Sequence, residues 1–331
     1  MRIRAISSVV PSTVQSQFDW LAEGVLKETN QTEKHTGLTS LRSSPYSTLD
    51  LAVAALQQGL SKDEEVPDAV IFVTQTPAHR VPGNAALLAG AMGWNHTIQC
   101  WDLSHGCAGL VWGLYQAQML LREPGCRRVL LVAAETHSRL TDPTDRSTRT
   151  LFGDGATLWW LHQDLDSTSL QGAFGLGTLP DLAKSLATDH TGCLRMDGLA
   201  VFEFAVREVV PHLKAFMTDQ NLTKDTISTW LFHQAGGTVL QYMQRALGLD
   251  PMRVPSALDG YGNTGSASLG ILLSHCFPGE VHPELERAML VGFGSGFQWG
   301  FHLADLSQTR IHPVHELHPD GRLLPLVGTG V

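Results

Sequence analysis

The feature that most constrains this chain is that it runs through one structural plan twice. Four short apolar runs, 68–74, 97–103, 129–134 and 156–161, are rich in β-branched and aromatic residues, as expected of strands buried on both faces. After Cys107, Leu110, Leu114, Ala117 and Leu121 recur at helical spacing until Pro124-Gly125 stops the pattern. The order then repeats. Residues 229–232 answer 68–74. Residues 253–256, the loop from Asp259 and a helix from Ser266 answer 97–121. Residues 288–293 answer 129–134, and 298–303 answer 156–161. Strands alternating with helices predict crossover units and largely parallel, partly mixed sheets. The duplication predicts an α/β chain with halves 1–165 and 166–306, a join near 162–175 and a tail over 307–331.

Charge and cysteine content narrow the class of function. Of 331 residues, 23 are Lys or Arg and 32 are Asp or Glu, a net charge of −9. Such a balance disfavours nucleic acid and anionic membranes as partners, since both demand a positive surface. Five cysteines, an odd number in a long chain, argue against a disulfide framework and for a reducing compartment. The sequence holds no apolar run of the ~18 residues a spanning helix needs, and its first residues lack a secretory pattern. The expectation is a soluble, cytoplasmic protein.

Three loops have the residues for chemistry. In Ser104-His-Gly-Cys-Ala-Gly, small residues flank Cys107 and permit a tight strand-to-helix turn. A sulfur at a helix N-terminus meets unpaired N–H groups and the positive end of the dipole, which favour thiolate. Cys100, Cys126, Cys193 and Cys276 lack that setting and read as buried, inert cysteines. His233 ends the apolar run Trp230-Leu-Phe, and Asn263 lies in Gly260-Tyr-Gly-Asn-Thr-Gly, the loop that corresponds to Cys107 in the repeat. In open α/β sheets ligands gather beyond the carboxyl ends of the strands, where these loops can converge.

These residues stand in order with His35-Thr-Gly-Leu, Asp142-Pro-Thr-Asp-Arg-Ser-Thr, Phe152-Gly-Asp-Gly-Ala, Phe232-His-Gln-Ala, Tyr261-Gly-Asn-Thr-Gly-Ser-Ala-Ser and Phe293-Gly-Ser-Gly-Phe-Gln-Trp-Gly. The chain resembles the ketoacyl-acyl-carrier-protein synthase III branch of the thiolase-fold condensing enzymes, nearly end to end up to about residue 304. The resemblance implies a duplicated, five-layered αβαβα fold, usually in a homodimer; a heterodimer is the alternative. It implies that Cys107 takes an acyl group from a thioester, and that His233 and Asn263 serve decarboxylation of a malonyl thioester, expected on acyl-carrier protein. The backbone N–H groups of Cys107 and Ser295 would form the oxyanion hole. Acyl-coenzyme A or acyl-carrier-protein thioesters are the implied substrates, with no cofactor and no metal.

The departures from the family lie at the entrance. The tryptophan and arginine that clamp the coenzyme A adenine are Gln31 and His35 here, while Arg146 is kept for the adenine end. The family's asparagine before Glu-Val-Phe is Leu199, ahead of Phe202. The asparagine after His-Gln-Ala is Gly236, and the basic carrier-docking residue is Thr238. Val81 stands where the family reaches across the dimer with a larger side chain, and Phe152 and Phe202 stand where it lines the channel near the sulfur. Fewer polar partners at the entrance suggest a donor other than the usual short acyl-coenzyme A, and a condensation in specialised metabolism. Two other readings use the same residues: acyl transfer from Cys107 to an oxygen or nitrogen nucleophile, or a non-catalytic partner of a condensing enzyme. His105, two residues before Cys107, either perturbs the thiol or points elsewhere. His312, His315 and His318, broken by Pro313 and followed by Pro319, read as an exposed tail or interface arm rather than a metal site.

Overall fold

The computed structural model describes residues 1–59, 66–94, 96–164 and 173–326. Most of the predicted join therefore lies outside the described residues. The first sheet is built from β1 (Arg2–Pro11), β2 (Ala69–Val73), β3 (Gln99–Leu103), β4 (Arg128–Thr136) and β5 (Asp154–His162). Its strands run β1-β5-β4-β2-β3. The second sheet contains β6 (Phe174–Thr178), β7 (Thr229–Phe232), β8 (Ala288–Gly294) and β9 (Gln298–Ala304), in the order β7-β8-β9-β6. Crossovers make β3-β2-β4 and β7-β8 parallel. The last strand of each half, β5 or β9, returns antiparallel, so both sheets are mixed.

Strand periodicity explains the layering. Along β2, Ala69, Ile71 and Val73 face one core while Val70 and Phe72 face another. The inner core holds two central helices, α3 (Gly109–Leu120) and α7 (Ser268–Cys276). Leu110, Val111, Leu114, Leu269 and Leu272 pack there between Ile71 and Leu131 of the first sheet and Leu231 and Leu290 of the second. The outer face of the first sheet is covered by α1 (Thr48–Gly59) and α2 (Asn84–Ala91), through Leu51, Leu56 and Leu88. The outer face of the second is covered by α5 (Val210–Asp219), which continues α4 (Gly198–Phe204), and by α6 (Gly237–Leu247). There Leu213, Phe216 and Met243 meet Trp230, Phe232 and Phe301. Helix, sheet, helix, sheet and helix give five layers. The central helices approach the sheets closely: at Gly270 of α7 a Cβ would stand 2.5 Å from Thr157 Cβ.

Three expectations change. Residues 253–256 form no strand. Pro255 lacks the N–H a ladder needs, and Gln234 Oε1 holds the segment instead, accepting from Ser256 Oγ at 3.1 Å and Ala257 N at 3.0 Å. Strand β3 is not buried on both faces; it is the exposed edge of its sheet, with Cys100 exposed rather than buried. Its Asp102 instead caps α2, accepting the Asn84 N–H at 2.6 Å. The segment after Leu306 is no exposed arm. β10 (Arg310–Ile311) and β11 (His315–Leu317) pair in parallel with β1, and β12 (Leu323–Pro325) pairs with β11. Sheet pairing fixes this segment, and among the described residues no three His, Cys, Asp or Glu side chains come together as metal ligands.

Candidate active site

The turn that carries Cys107 is shaped by glycine. Gly109 N–H bonds Gly106 O at 2.7 Å and starts α3 directly after Cys107 and Ala108. A Cβ at Gly106 would stand 2.5 Å from Ser295 Oγ, and one at Gly294 would stand 2.9 Å from Cys107 Sγ. The Gly294-Ser295-Gly296 turn therefore presses its backbone against the sulfur, and the N–H groups of Cys107 and Ser295 both hydrogen-bond it. Burial outweighs those bonds. Cys107 is 6% exposed, and burial first, then the charge of Glu135, push its thiol up to about 12. The expectation of a resting thiolate is corrected: desolvation is the larger effect, and the free site holds a thiol.

Glu135 escaped sequence reasoning. It ends the apolar run of β4 and is fully buried. Its carboxylate accepts from Thr76 Oγ1 at 2.7 Å, Ser266 Oγ at 2.8 Å, Gln75 N at 3.1 Å and Thr74 Oγ1 at 3.2 Å. Gln75 in turn accepts from Ser295 Oγ at 2.9 Å. One carboxylate thus ties the loop after β2 to the start of α7 and, through Gln75, to the Gly294-Ser295-Gly296 turn. Burial raises it to about 7. The usable signal was an acidic residue inside an otherwise apolar strand, a type almost never buried unpaired.

His233 is fully buried. Its Nδ1 lies 2.7 Å from Ser268 Oγ and its ring meets the edge of Phe293 at 5.6 Å. Burial first, and then His137, lower it to about 3, so the imidazole is neutral. Asn263 is held by its backbone, which bonds Leu151 O at 2.8 Å and Gly153 N at 3.0 Å, and its Oδ1 accepts the Gly265 N–H. That leaves the amide N–H₂ as a donor.

A cavity of about 350 Å³ opens onto Cys107. Gln75, Ser104, His137, Phe152, Ser295 and Gly296 line it, with Leu140, Leu186 and Leu194 among its apolar wall. The hairpin of 186–188 and 194–196 forms one side. It is fastened by Leu194 N–H to Leu140 O at 2.7 Å, and by Arg195 to Asp142 at 3.0 Å and Asp189 at 2.8 Å.

The structure brings Cys107, Ser295 and Phe152 to this cavity. His233 and Asn263 are not among its lining residues; Phe152, which lines it, bridges to Asn263, and the ring of His137, which also lines it, lies near enough to His233 to act on its charge. The remaining predicted residues lie elsewhere. Phe202 is half-buried with its ring edge on Tyr242, and is not among the residues lining the cavity. Leu199 and Val81 are 69% and 84% exposed, and Arg146 is exposed at the start of a short helix. His105 tilts onto Trp112 at 5.1 Å. Gly236 precedes α6. A Cβ at the next residue, Gly237, would stand 2.9 Å from Thr36 O, while Thr238 Oγ1 donates to His35 O at 2.6 Å. The segment from residue 31 to 37 is packed directly against α6.

Two family models match the chain: 3-oxoacyl-[acyl-carrier-protein] synthase III over residues 101–178, and 3-oxoacyl-[acyl-carrier-protein] synthase III C terminal over 217–305. A beta-ketoacyl-[acyl-carrier-protein] synthase III of Streptococcus suis is 34% identical over 275 residues, 78% of this chain and 84% of the relative. The crystal structure of a 3-oxoacyl-(acyl-carrier protein) synthase from Burkholderia xenovorans superposes with a TM-score of 0.85 at 27% identity, over 95% of this chain and 96% of that one. The priming β-ketosynthase of the R1128 polyketide pathway superposes at 0.81 and 26% identity, covering 94% and 97%. The five layers and the matches over most of the chain place this protein in the β-ketoacyl-acyl-carrier-protein synthase III family of thiolase-fold condensing enzymes.

Proposed function

We propose that the chain catalyses a decarboxylative Claisen condensation in two half-reactions at Cys107. In the first, the Cys107 sulfur attacks an acyl thioester, the old carbon–sulfur bond breaks, and the thiol proton leaves with the departing thiol. A proton that leaves this way requires no resting thiolate, which suits a sulfur held at about 12. In the second, a malonyl thioester, expected on acyl-carrier protein, loses carbon dioxide. The electron pair of the broken bond becomes an enolate that attacks the acyl-Cys107 carbonyl. The Cys107 sulfur departs and regains a proton, and a 3-oxoacyl thioester is released.

The observation that carries this reading is the convergence of the Cys107 and Ser295 N–H groups on one buried sulfur at the start of α3. Those donors meet the charge that develops on the acyl oxygen. A neutral His233 supports the second step. The 2.7 Å contact of Ser268 Oγ with Nδ1 allows the tautomer in which the serine hydroxyl donates and the ring proton resides on Nε2, to be donated with the Asn263 amide to the malonyl thioester oxygen. Retention of both donors favours condensation over acyl transfer to oxygen or nitrogen, and over a non-catalytic partner.

We assign the donor to a class other than the usual short acyl-coenzyme A, and the reaction to specialised metabolism. Where the family's adenine clamp is expected, Gln31 supplies no aromatic face and His35 no fixed charge, and this supports the assignment. The resemblance to a structure named as a priming ketosynthase of a polyketide pathway points the same way. A homodimer through the exposed edge β3, with Trp101 42% exposed and Val81 reaching outward, is part of the same proposal. Intact-mass spectrometry after incubation with a panel of acyl-coenzyme A and acyl-carrier-protein thioesters tests it. A mass gain absent from Cys107→Ala, together with carbon dioxide release from malonyl thioester, is expected. Rapid loading by micromolar acetyl-coenzyme A would defeat the assignment of the donor.

A further inference from the structure

His137 is the unexplained group at this site. It follows β4, is 4% exposed, and its ring forms part of the wall of the Cys107 cavity. Its Nδ1 is buried without a hydrogen-bond partner. Phe152 lies against the ring at 5.2 Å, and a Cβ at Gly265 would collide with it, so the imidazole is fixed between an aromatic face and the backbone of the Asn263 loop. The other polar side chains of the cavity are accounted for. Gln75 and Ser295 hydrogen-bond each other, and Ser104 and Thr188 sit at the exposed rim. Leu140, Phe152, Leu186 and Leu194 line the cavity with it, while His233 and, across Gly265, Glu135 are its polar neighbours outside that lining. A wall built for a plain alkyl chain has no use for an imidazole, since an unsatisfied polar group there is costly.

We infer that His137 is a specificity residue of the acyl compartment, and that the acyl group carried by Cys107 bears an uncharged oxygen, a hydroxyl or a carbonyl, that hydrogen-bonds this imidazole. Burial lowers His137 to about 4, so the ring is neutral and offers one donor and one acceptor. A hydroxyl or keto oxygen satisfies either. A carboxylate would instead enter an apolar wall with no opposing charge. The apolar lining places this contact on the acyl chain rather than on the malonyl carboxylate. The inference rests on the reading of Cys107 as the acyl-bearing nucleophile.

Butyryl and 3-hydroxybutyryl thioesters of N-acetylcysteamine, equal in length, test it. Binding is measured by calorimetry on Cys107→Ala protein, so the outcome does not depend on transfer. The hydroxylated ligand is expected to bind on the order of tenfold more tightly. That preference should vanish in Cys107→Ala combined with His137→Leu, while butyryl binds as well or better. Equal affinities in Cys107→Ala, or a preference that survives His137→Leu, would overturn the inference. Loading of the unsubstituted protein is followed separately by intact mass. The absence of any adduct there would count against Cys107 as nucleophile, whereas the binding comparison decides the role of His137.

Discussion

The protonation state of Cys107 makes the sharpest prediction, because two features of the structure oppose each other there. The start of α3 and two backbone N–H groups favour thiolate, while burial and Glu135 oppose it and prevail, moving the thiol from 9.0 to about 12. Three units correspond to roughly 4 kcal/mol. At pH 8 the thiolate fraction falls from about one in ten to about one in ten thousand. Alkylation by iodoacetamide, followed at peptide resolution by mass spectrometry, reads this directly, because the thiolate is the reacting species. Steric shielding lowers the whole rate curve but leaves its shape unchanged. The logarithm of the Cys107 rate should climb by one per pH unit from pH 8 to pH 10, above the titration of Glu135 at about 7, with no plateau. In Glu135→Gln the repelling charge is gone, so the curve should move to lower pH. A plateau below pH 8 in the unsubstituted protein would refute the reasoning: it would mean that the helix terminus and the two N–H groups overcome desolvation.

Other perturbations follow from the same geometry. Ser268→Ala removes the hydroxyl that fixes His233 Nδ1 and should slow carbon dioxide release from malonyl thioester on the order of tenfold, leaving Cys107 loading within about twofold; equal loss in both half-reactions would place Ser268 in structure alone. His233→Ala should lower decarboxylation by about 10²–10³, measured as released carbon dioxide, with the acyl adduct still visible by mass. Gly292→Ala would put a Cβ 2.9 Å from Ala108 Cα and 3.1 Å from Cys107 O; calorimetric unfolding should show a loss of about 1–3 kcal/mol from overpacking. Glu135 is raised from 4.5 to about 7, so the fold holds its proton more tightly than the unfolded chain does. Its contribution is most favourable below 4.5 and is lost as pH rises through 7. Denaturant unfolding of Glu135→Gln should therefore show a stability gain over the unsubstituted protein that widens from pH 5 to pH 8, by on the order of 3 kcal/mol.

The sequence revealed what depends on short-range pattern. The runs at 69–73, 128–136, 229–232 and 288–294 are strands because unbroken apolar stretches suit a sheet covered on both sides. Cys107 betrayed itself by the glycines around it, which the structure requires for the approach of Ser295. What stayed illegible depends on partners far apart in the chain. Glu135 gathers hydrogen bonds from Thr74, Gln75, Thr76 and Ser266, segments that no spacing rule connects. His137 looked like one histidine among 15 until the fold turned it toward the sulfur's cavity. Strand β3 read as buried because Trp101 and Leu103 stand in it, yet nothing local says that among the described residues no further strand pairs beyond it.

The parallel pairing of β1 with β10 and β11 has a bearing on how the molecule is made. Ala5 and Ile6 take Arg310 and Ile311 as neighbours, and Val9 takes His315, so a strand synthesised first waits for residues synthesised some three hundred later. Until they emerge from the ribosome, one side of Arg2–Pro11 is an open row of amides beside a finished half-molecule. Contacts of that sequence separation slow folding and invite pairing with foreign strands. Pairing of β10 and β11 with β1 can thus come only after everything between them has been synthesised.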